Sequence, residues 1–182
     1  LLAKQSLNSV LMQLHSLKSF QGLVAHCNGF ELLFDPDKKN SVMLLHFLRK
    51  PRPADSLLAV ELKKHTSDIS AILMQVEGYG LYDPMARSFQ ASPPILSYTS
   101  VIESISSELI LTWEAGGFCQ VNLEQNSNLI KLVLEMVADG PHKSILDLYC
   151  GYGNFSLPVA KIAEKVLGID AQNAAIRSGR RN

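Results

Sequence analysis

The order of apolar runs, turns and helical stripes predicts a chain of two parts. Residues 1–117 read as an α+β domain with a mostly antiparallel sheet, and residues 118–182 as the truncated start of an α/β domain. Three observations predict this. Short apolar runs separated by Asn, Asp, Gly and Pro fill most of the first part. A long amphipathic stripe comes next, with Leu129, Ile130, Val133, Leu134 and Val137 on one face. Beyond it, two nearly continuous apolar runs, 145–148 and 166–169, flank a glycine-rich turn and a second helical stripe.

Taken in order, Leu7, Val10, Leu11, Leu14 and Leu17 fall on a 3.6-residue stripe, which predicts an amphipathic helix over 3–18. Residues 22–27 and 30–34 read as strands joined at Asn28-Gly29, a strong hairpin signal between apolar runs. Asp35-Pro-Asp-Lys-Lys-Asn40 is a further turn and 41–48 a third strand. Arg49-Lys-Pro-Arg-Pro-Ala-Asp55 is a proline-broken loop with three cations; it reads as a solvated connector, with a phosphate contact as the alternative. A short helix is expected over 57–64 and a strand over 71–76. Residues 78–94 mix Gly, Pro and aromatics and read as an irregular loop whose tyrosines pack on the sheet, rather than as a base-stacking surface. Strands over 97–105 and 108–113 complete this part, which Glu114-Ala-Gly-Gly117 ends. Asn122-Leu-Glu-Gln125 has the form of a capping box, and the helix it opens runs to about Ala138, where Asp139-Gly-Pro141 stops it.

Composition excludes several classes. The 182 residues are 47% hydrophobic and 19% charged, as in ordinary globular domains. Lys plus Arg equals Asp plus Glu at 17 each, so no basic excess argues for nucleic acid. No apolar run approaches a membrane span and no signal peptide is visible. Cys27, Cys119 and Cys150 are too far apart for a disulfide framework or a metal spacing, which fits a reducing cytoplasm. The five histidines form no ligand pair, so no metal site is expected.

The chemistry concentrates at Ser144-Ile-Leu-Asp-Leu-Tyr-Cys-Gly-Tyr-Gly-Asn-Phe-Ser-Leu-Pro158, with Val166-Leu-Gly-Ile-Asp170 soon after it. This is a strand, a glycine turn, a helix expected over 155–165, a second strand and an acid. Glycines let a backbone approach a nucleoside, and a carboxylate past the second strand can accept hydrogen bonds from ribose hydroxyls. A dinucleotide loop wants a third small residue after Gly151 and Gly153, for which Ser156 is a poor member. Asp147 before Gly151 gives instead Asp-x-x-x-Gly-x-Gly, which resembles the loop of S-adenosylmethionine (SAM) methyltransferases. An α/β crossover with an incidental Gly-x-Gly is the alternative.

Asp147-Leu-Tyr-Cys-Gly-Tyr-Gly-Asn-Phe155, with Gly117-Phe-Cys-Gln-Val-Asn122 ahead of a helix, resembles the uracil-5 RNA methyltransferase family, whose members make 5-methyluridine in ribosomal or transfer RNA. The resemblance implies a Rossmann-like SAM-dependent domain, with SAM as cofactor and RNA as partner. It places Gln120, Tyr149, Asn154 and Asp170 at SAM-contacting positions, beside Asp147, Gly151 and Gly153 of the loop itself. Asp170 departs from the usual Glu, a shorter carboxylate that can still reach a ribose. For Gln120 the alternative is a helix-entry glutamine facing water. Such domains carry about seven strands, of which two come after Ser144; with no initial Met and an end in mid-element, the chain reads as an internal fragment.

The family adds a cysteine thiolate to carbon 6 of uracil, so that carbon 5 can attack the sulfonium methyl, and a base then removes the carbon-5 proton. Its cysteine and glutamate motifs lie beyond the second strand and have no counterpart here, so no catalytic residue is nominated, and Cys150 reads as an inert residue of the turn. The alternatives are a SAM methyltransferase acting on a protein or small molecule, and a non-catalytic RNA-binding fragment. The two parallel strands are expected to leave an apolar surface that self-associates or is covered by the C-terminal segment, the alternative being that Ala171–Asn182 is poorly ordered.

Overall fold

The structure is a computed structural model and describes residues 5–89, 92–102, 106–140 and 144–182. The predicted start of the first helix, the end of the strand over 97–105 and Pro141 fall outside these. The chain divides into two compact units, Leu1–Pro94 and Ile95–Asn182. The boundary by compactness precedes the division expected at 117, because the hairpin expected to close the first part packs with the helices Leu123–Ala138 and Asn173–Arg181 of the second unit. Among the described residues no helix is long and apolar enough to cross a membrane.

The first unit contains α1 (Gln5–Ser16), α2 (Lys18–Val24), β1 (Cys27–Asp35), β2 (Asn40–Phe47), α3 (Pro53–Lys64), β3 (Ile69–Val76) and β4 (Gly80–Tyr82). Its sheet has the order β1-β2-β3-β4. The outer pairs are antiparallel and β2/β3 is parallel, a pairing that needs a crossover, which α3 supplies. Val10, Leu14, Phe20 and Leu23 from the first two helices meet Met43, Leu45, Ile72 and Met74 from the sheet in one core.

Two expectations fail at the start of this unit. Of residues 22–27 only Cys27 lies in a strand: Leu17, Phe20, Leu23 and Val24 continue the helical stripe, and α2 packs on α3 with Gly22 facing Leu58. Asn28-Gly29 is not a turn either. Cys27 pairs with Phe47 and Gly29 with His46, so the exposed Asn28 is the extra residue of a β-bulge inside β1. The hairpin closes at 35–40 instead, where the fully buried Asp35 accepts from the Lys38 N–H at 2.9 Å and from Lys38 Nζ at 2.8 Å.

The cationic loop is largely absorbed by the fold. Arg49 forms a two-pronged pair with Asp55 at 2.7 and 3.0 Å, and Asp55 caps α3 by accepting from the Arg52 N–H at 2.6 Å. Lys50 Nζ sits 4.0 Å from the centroid of the Tyr79 ring. The segment read as irregular contains β4, and Tyr82 is buried with its hydroxyl 3.1 Å from Ser56 Oγ.

The second unit contains β5 (Ile95–Ile102), β6 (Ser107–Glu114), α4 (Leu123–Ala138), β7 (Ser144–Leu148), α5 (Ser156–Val159), β8 (Lys165–Ile169) and α6 (Asn173–Arg181). β5 and β6 are an antiparallel hairpin, while β7 and β8 are parallel, in register from Ser144↔Lys165 to Leu148↔Ile169. Ile130 and Leu134 of α4 bury against Ile102 and Val159, with Ile145, Phe155 and Val166 around them. Asn122 Oδ1 accepts from the Gln125 N–H at 3.1 Å, as the capping pattern predicts.

The helix expected over 155–165 is much shorter. The glycine turn occupies 149–155, and after Val159 the N–H groups of Lys161 and Ile162 bond carbonyls three residues back, at 3.1 and 3.0 Å. That tighter turn lets the chain enter β8 already at Lys165.

Candidate functional site

The turn after β7 owes its shape to three residues in the left-handed region: Tyr149 at φ 62°, Gly151 at 59° and Gly153 at 93°. Gly153 is required twice over, since an added Cβ would also stand 2.8 Å from Leu157 Cδ1. At Gly151 a Cβ would enter open space. The turn is tied down at both ends. Cys150 N–H donates to Ile169 O at 3.1 Å, and Ser156 Oγ donates to Asp147 Oδ2 at 2.5 Å. Asp170, just past β8, accepts from the Gly151 N–H at 2.9 Å through one oxygen and from the Gln172 N–H at 2.7 Å through the other.

This turn forms one wall of a cavity of about 500 Å³. The end of β6 supplies Trp113 and Glu114, the segment before α4 supplies Phe118 and Gln120, and α6 supplies Ala174, Ala175 and Ser178. Trp113 packs on Tyr152 with ring centroids 5.7 Å apart. Tyr152 is buried, which pushes its hydroxyl up to about 12. The acids Glu114 and Asp170 line the cavity, and among the described residues no lysine or arginine does.

The helix α6 is clamped to β6 by long-range side-chain bonds. Arg177 donates to both carboxylate oxygens of Glu114 at 3.0 and 2.8 Å, and these bonds hold the Glu114 carboxyl below its ordinary value. Asn182 Oδ1 accepts from Thr112 N–H at 2.9 Å and from its hydroxyl, while Asn182 Nδ2 donates to Thr112 O and Tyr152 O, each at 3.0 Å. The C-terminal segment is thus an ordered helix on β6 rather than a cover for β7 and β8, whose Leu146, Leu148, Leu167 and Ile169 are 49–59% exposed.

Of the seven residues read from the sequence, the cavity brings together Gln120, Tyr149, Gly151, Asn154 and Asp170. Gly153 shapes the turn from behind, and Asp147 faces a smaller pocket with Ser156, Phe155 and Val166. Asn154 is 6% exposed and its amide is engaged with Asn126. Sequence reading missed the α6 wall; its signal was the small residues Ala174, Ala175, Ser178 and Gly179, the last at a place where an added Cβ would stand 3.5 Å from the Tyr152 carbonyl oxygen. All three thiols are held in the neutral form. Burial, joined by the charge of Asp55, raises Cys27 to about 11; burial raises Cys119; burial and then Asp147 and Asp170 raise Cys150.

Residues 100–182, which hold this whole turn and cavity wall, match the tRNA (uracil-5-)-methyltransferase family. Curated relatives agree with that match. A 23S rRNA (uracil(1939)-C(5))-methyltransferase RlmD of Shewanella sp. (strain ANA-3) is 42% identical over 72 residues, 40% of this chain and 16% of that protein. The Alcanivorax borkumensis protein of the same name is 38% identical over 77 residues, 42% of this chain and 17% of that protein. The matched stretch is therefore about a sixth of the length of these relatives. Among solved structures, the Pyrococcus abyssi tRNA (uracil-54, C5)-methyltransferase, in complex with S-adenosyl-L-homocysteine, is similar with a TM-score of 0.50 and 21% identity, over 82% of this chain and 34% of that one. The M. jannaschii tRNA m1G37 methyltransferase is similar with a TM-score of 0.50 and 13% identity, over 98% of this chain and 48% of that one. Both likenesses show the fold alone, a mixed α/β fold with a Rossmann-like portion.

Proposed function

We propose that the second unit holds SAM in the cavity beside the glycine turn, and that the chain is a piece of an enzyme methylating C5 of uridine in ribosomal or transfer RNA. In this reading residues 118–182 begin the SAM-dependent domain and residues 1–117 are a central α+β domain. One observation carries the choice of ligand: a turn of left-handed glycines beside Asp170, on a cavity lined by acids and by no lysine or arginine among the described residues. A pyrophosphate needs a basic group or the N-terminus of a substantial helix. Here the helix after the turn has only four residues, and at the start of α6 the Gln172 N–H is already held by the Asp170 carboxylate. SAM has no phosphate and carries a sulfonium, so the same lining suits it.

The residues fit such a ligand. The volume lies within the ~300–1,000 Å³ of small-molecule sites. Gly151 offers backbone without a side chain in the way, and Trp113, Phe118 and the alanines of α6 give apolar walls. Asp170 has an acceptor position left on each oxygen after its two backbone bonds, enough for ribose hydroxyls. When bound, SAM supplies the methyl group; this chain's own part is to hold and orient it. The nucleophilic cysteine and the base would come from the rest of the enzyme, in line with three neutral thiols here. RNA is the proposed partner and the cytoplasm the proposed compartment.

Ultraviolet crosslinking of methyl-labelled SAM to the chain, with peptide mapping of the product, tests the reading. Label within 113–120, 149–155 or 170–178, competed by S-adenosylhomocysteine and not by NAD, is the expected result. Label scattered over the first unit, or competed by NAD alone, would overturn it.

A further inference from the structure

The apolar stripe of α4 contains one residue that does not belong to it. Ile130 and Leu134 are 2 and 3% exposed, and one turn before them, on the same face, Asn126 is 2% exposed. A buried amide is costly unless its bonds are made. Those of Asn126 are made with the glycine turn. Its Nδ2 donates to Asn154 Oδ1 at 2.8 Å, and its Oδ1 accepts from Asn154 Nδ2 at 2.8 Å. Tyr152 adds its hydroxyl to Asn154 Oδ1 at 3.3 Å. The two asparagines lie 28 residues apart in the chain and form a closed, reciprocal amide pair.

We propose that Asn126 is a positioning residue for the ligand turn: through Asn154 it selects the conformation in which Tyr149 and Gly151 face the cavity as they do here, with Gly153 at the positive φ that shapes the turn. The turn has three residues at positive φ and one of them is a tyrosine, so its conformation is not the one the free segment prefers. Asn154 is the last polar residue before α5, and Phe155 and Val159 beyond it are anchored in the core with Ile130 and Leu134. The amide pair fastens the turn to that anchored side. A turn that leaves the competent conformation lowers apparent affinity by the fraction of time it is away. The inference rests on the reading that this cavity binds SAM.

The pair's reciprocity gives a test that a bulk-filling role would not pass. In Asn126→Asp, a neutral carboxyl can replace the amide bond for bond, its hydroxyl donating to Asn154 Oδ1 and its carbonyl accepting from Nδ2. The ionised carboxylate cannot donate, and it sets an anion against Asn154 Oδ1. Burial disfavours the charged form, so the lock should be whole at acid pH and broken at alkaline pH. S-adenosylhomocysteine affinity of Asn126→Asp is expected to be about tenfold weaker than wild type at pH ~8 and within about threefold of it near pH ~5. In Asn126→Ala it should be weak at both. Amide exchange supplies a readout without ligand: protection in 149–155 should fall in Asn126→Ala while β1–β3 of the first unit keep theirs. Unchanged protection in 149–155, or an Asn126→Asp affinity that tracks wild type at every pH, would overturn the proposal. So would loss of protection throughout α4, β7 and β8 together, since Asn126 would then support the unit and not the turn. If wild type binds no S-adenosylhomocysteine, the reading of the cavity fails, and the exchange data alone decide whether Asn126 sets the turn.

Discussion

Tyr149 stands in the left-handed region and is 88% exposed, so the tyrosine gains little from burial to offset its conformation. A non-glycine residue there costs roughly 1–2 kcal/mol. Such strain persists where neighbours fix the backbone, here through Cys150 N–H on Ile169 O and Gly151 N–H on Asp170. If the ring is kept for the ligand, Tyr149→Gly should leave unfolding free energy unchanged or raise it by up to about 1 kcal/mol, while weakening S-adenosylhomocysteine several-fold. Denaturant unfolding and a binding titration read both; a variant that loses stability and keeps its affinity would contradict this role. Residues whose type is itself the signal were legible in the sequence: Gly151 and Gly153 take the left-handed φ of the turn, and Asp170 stands beside it, bonded to the Gly151 N–H. Their fasteners were not, because Asn126 and Ser156 act through pairings that only the fold creates.

At the scale of elements, the clamp between α6 and β6 makes a prediction about pH. The Glu114 carboxyl is held below its ordinary 4.5, first by the hydrogen bonds from Arg177 and further by the charges of Arg177 and Arg181, against the opposing effect of burial. A carboxyl lowered by folding contributes stability above its unfolded value and loses it as pH falls through its folded value. The difference in melting temperature between wild type and Arg177→Ala should therefore be level from about pH 7 to 5 and shrink below about 4.5. A difference unchanged down to about pH 3 would show that Arg177 acts by packing alone. Elements with a long stripe or two matched apolar runs, such as α4, β7 and β8, were readable from periodicity. The run at 22–27 was too short for its period to separate strand from helix, and its packing on α3 decided for α2. Asn28-Gly29 had the composition of a turn, but pairing of Gly29 with His46 drew it into a strand. The helix after the glycine turn was overestimated because its apolar spacing continues past Val159 while its backbone does not.

At the scale of the molecule, Leu146, Leu148, Leu167 and Ile169 form an exposed apolar face on a two-stranded sheet, and α6 lies elsewhere in the unit, against β6. An apolar face on a short sheet is a template for association. Light scattering over a tenfold range of protein should show mass rising with concentration, and Leu146→Lys with Leu167→Lys should reduce it; a monomer throughout would contradict the expectation. The account as a whole depends on which ligand enters the cavity beside the glycine turn. Calorimetric titration of the 182-residue chain with S-adenosylhomocysteine and with NAD, each repeated on Asp170→Ala, tests that most directly. The account predicts binding of S-adenosylhomocysteine and not of NAD, weakened about tenfold or more by Asp170→Ala. Binding of NAD in preference, or S-adenosylhomocysteine affinity untouched by the substitution, would contradict it.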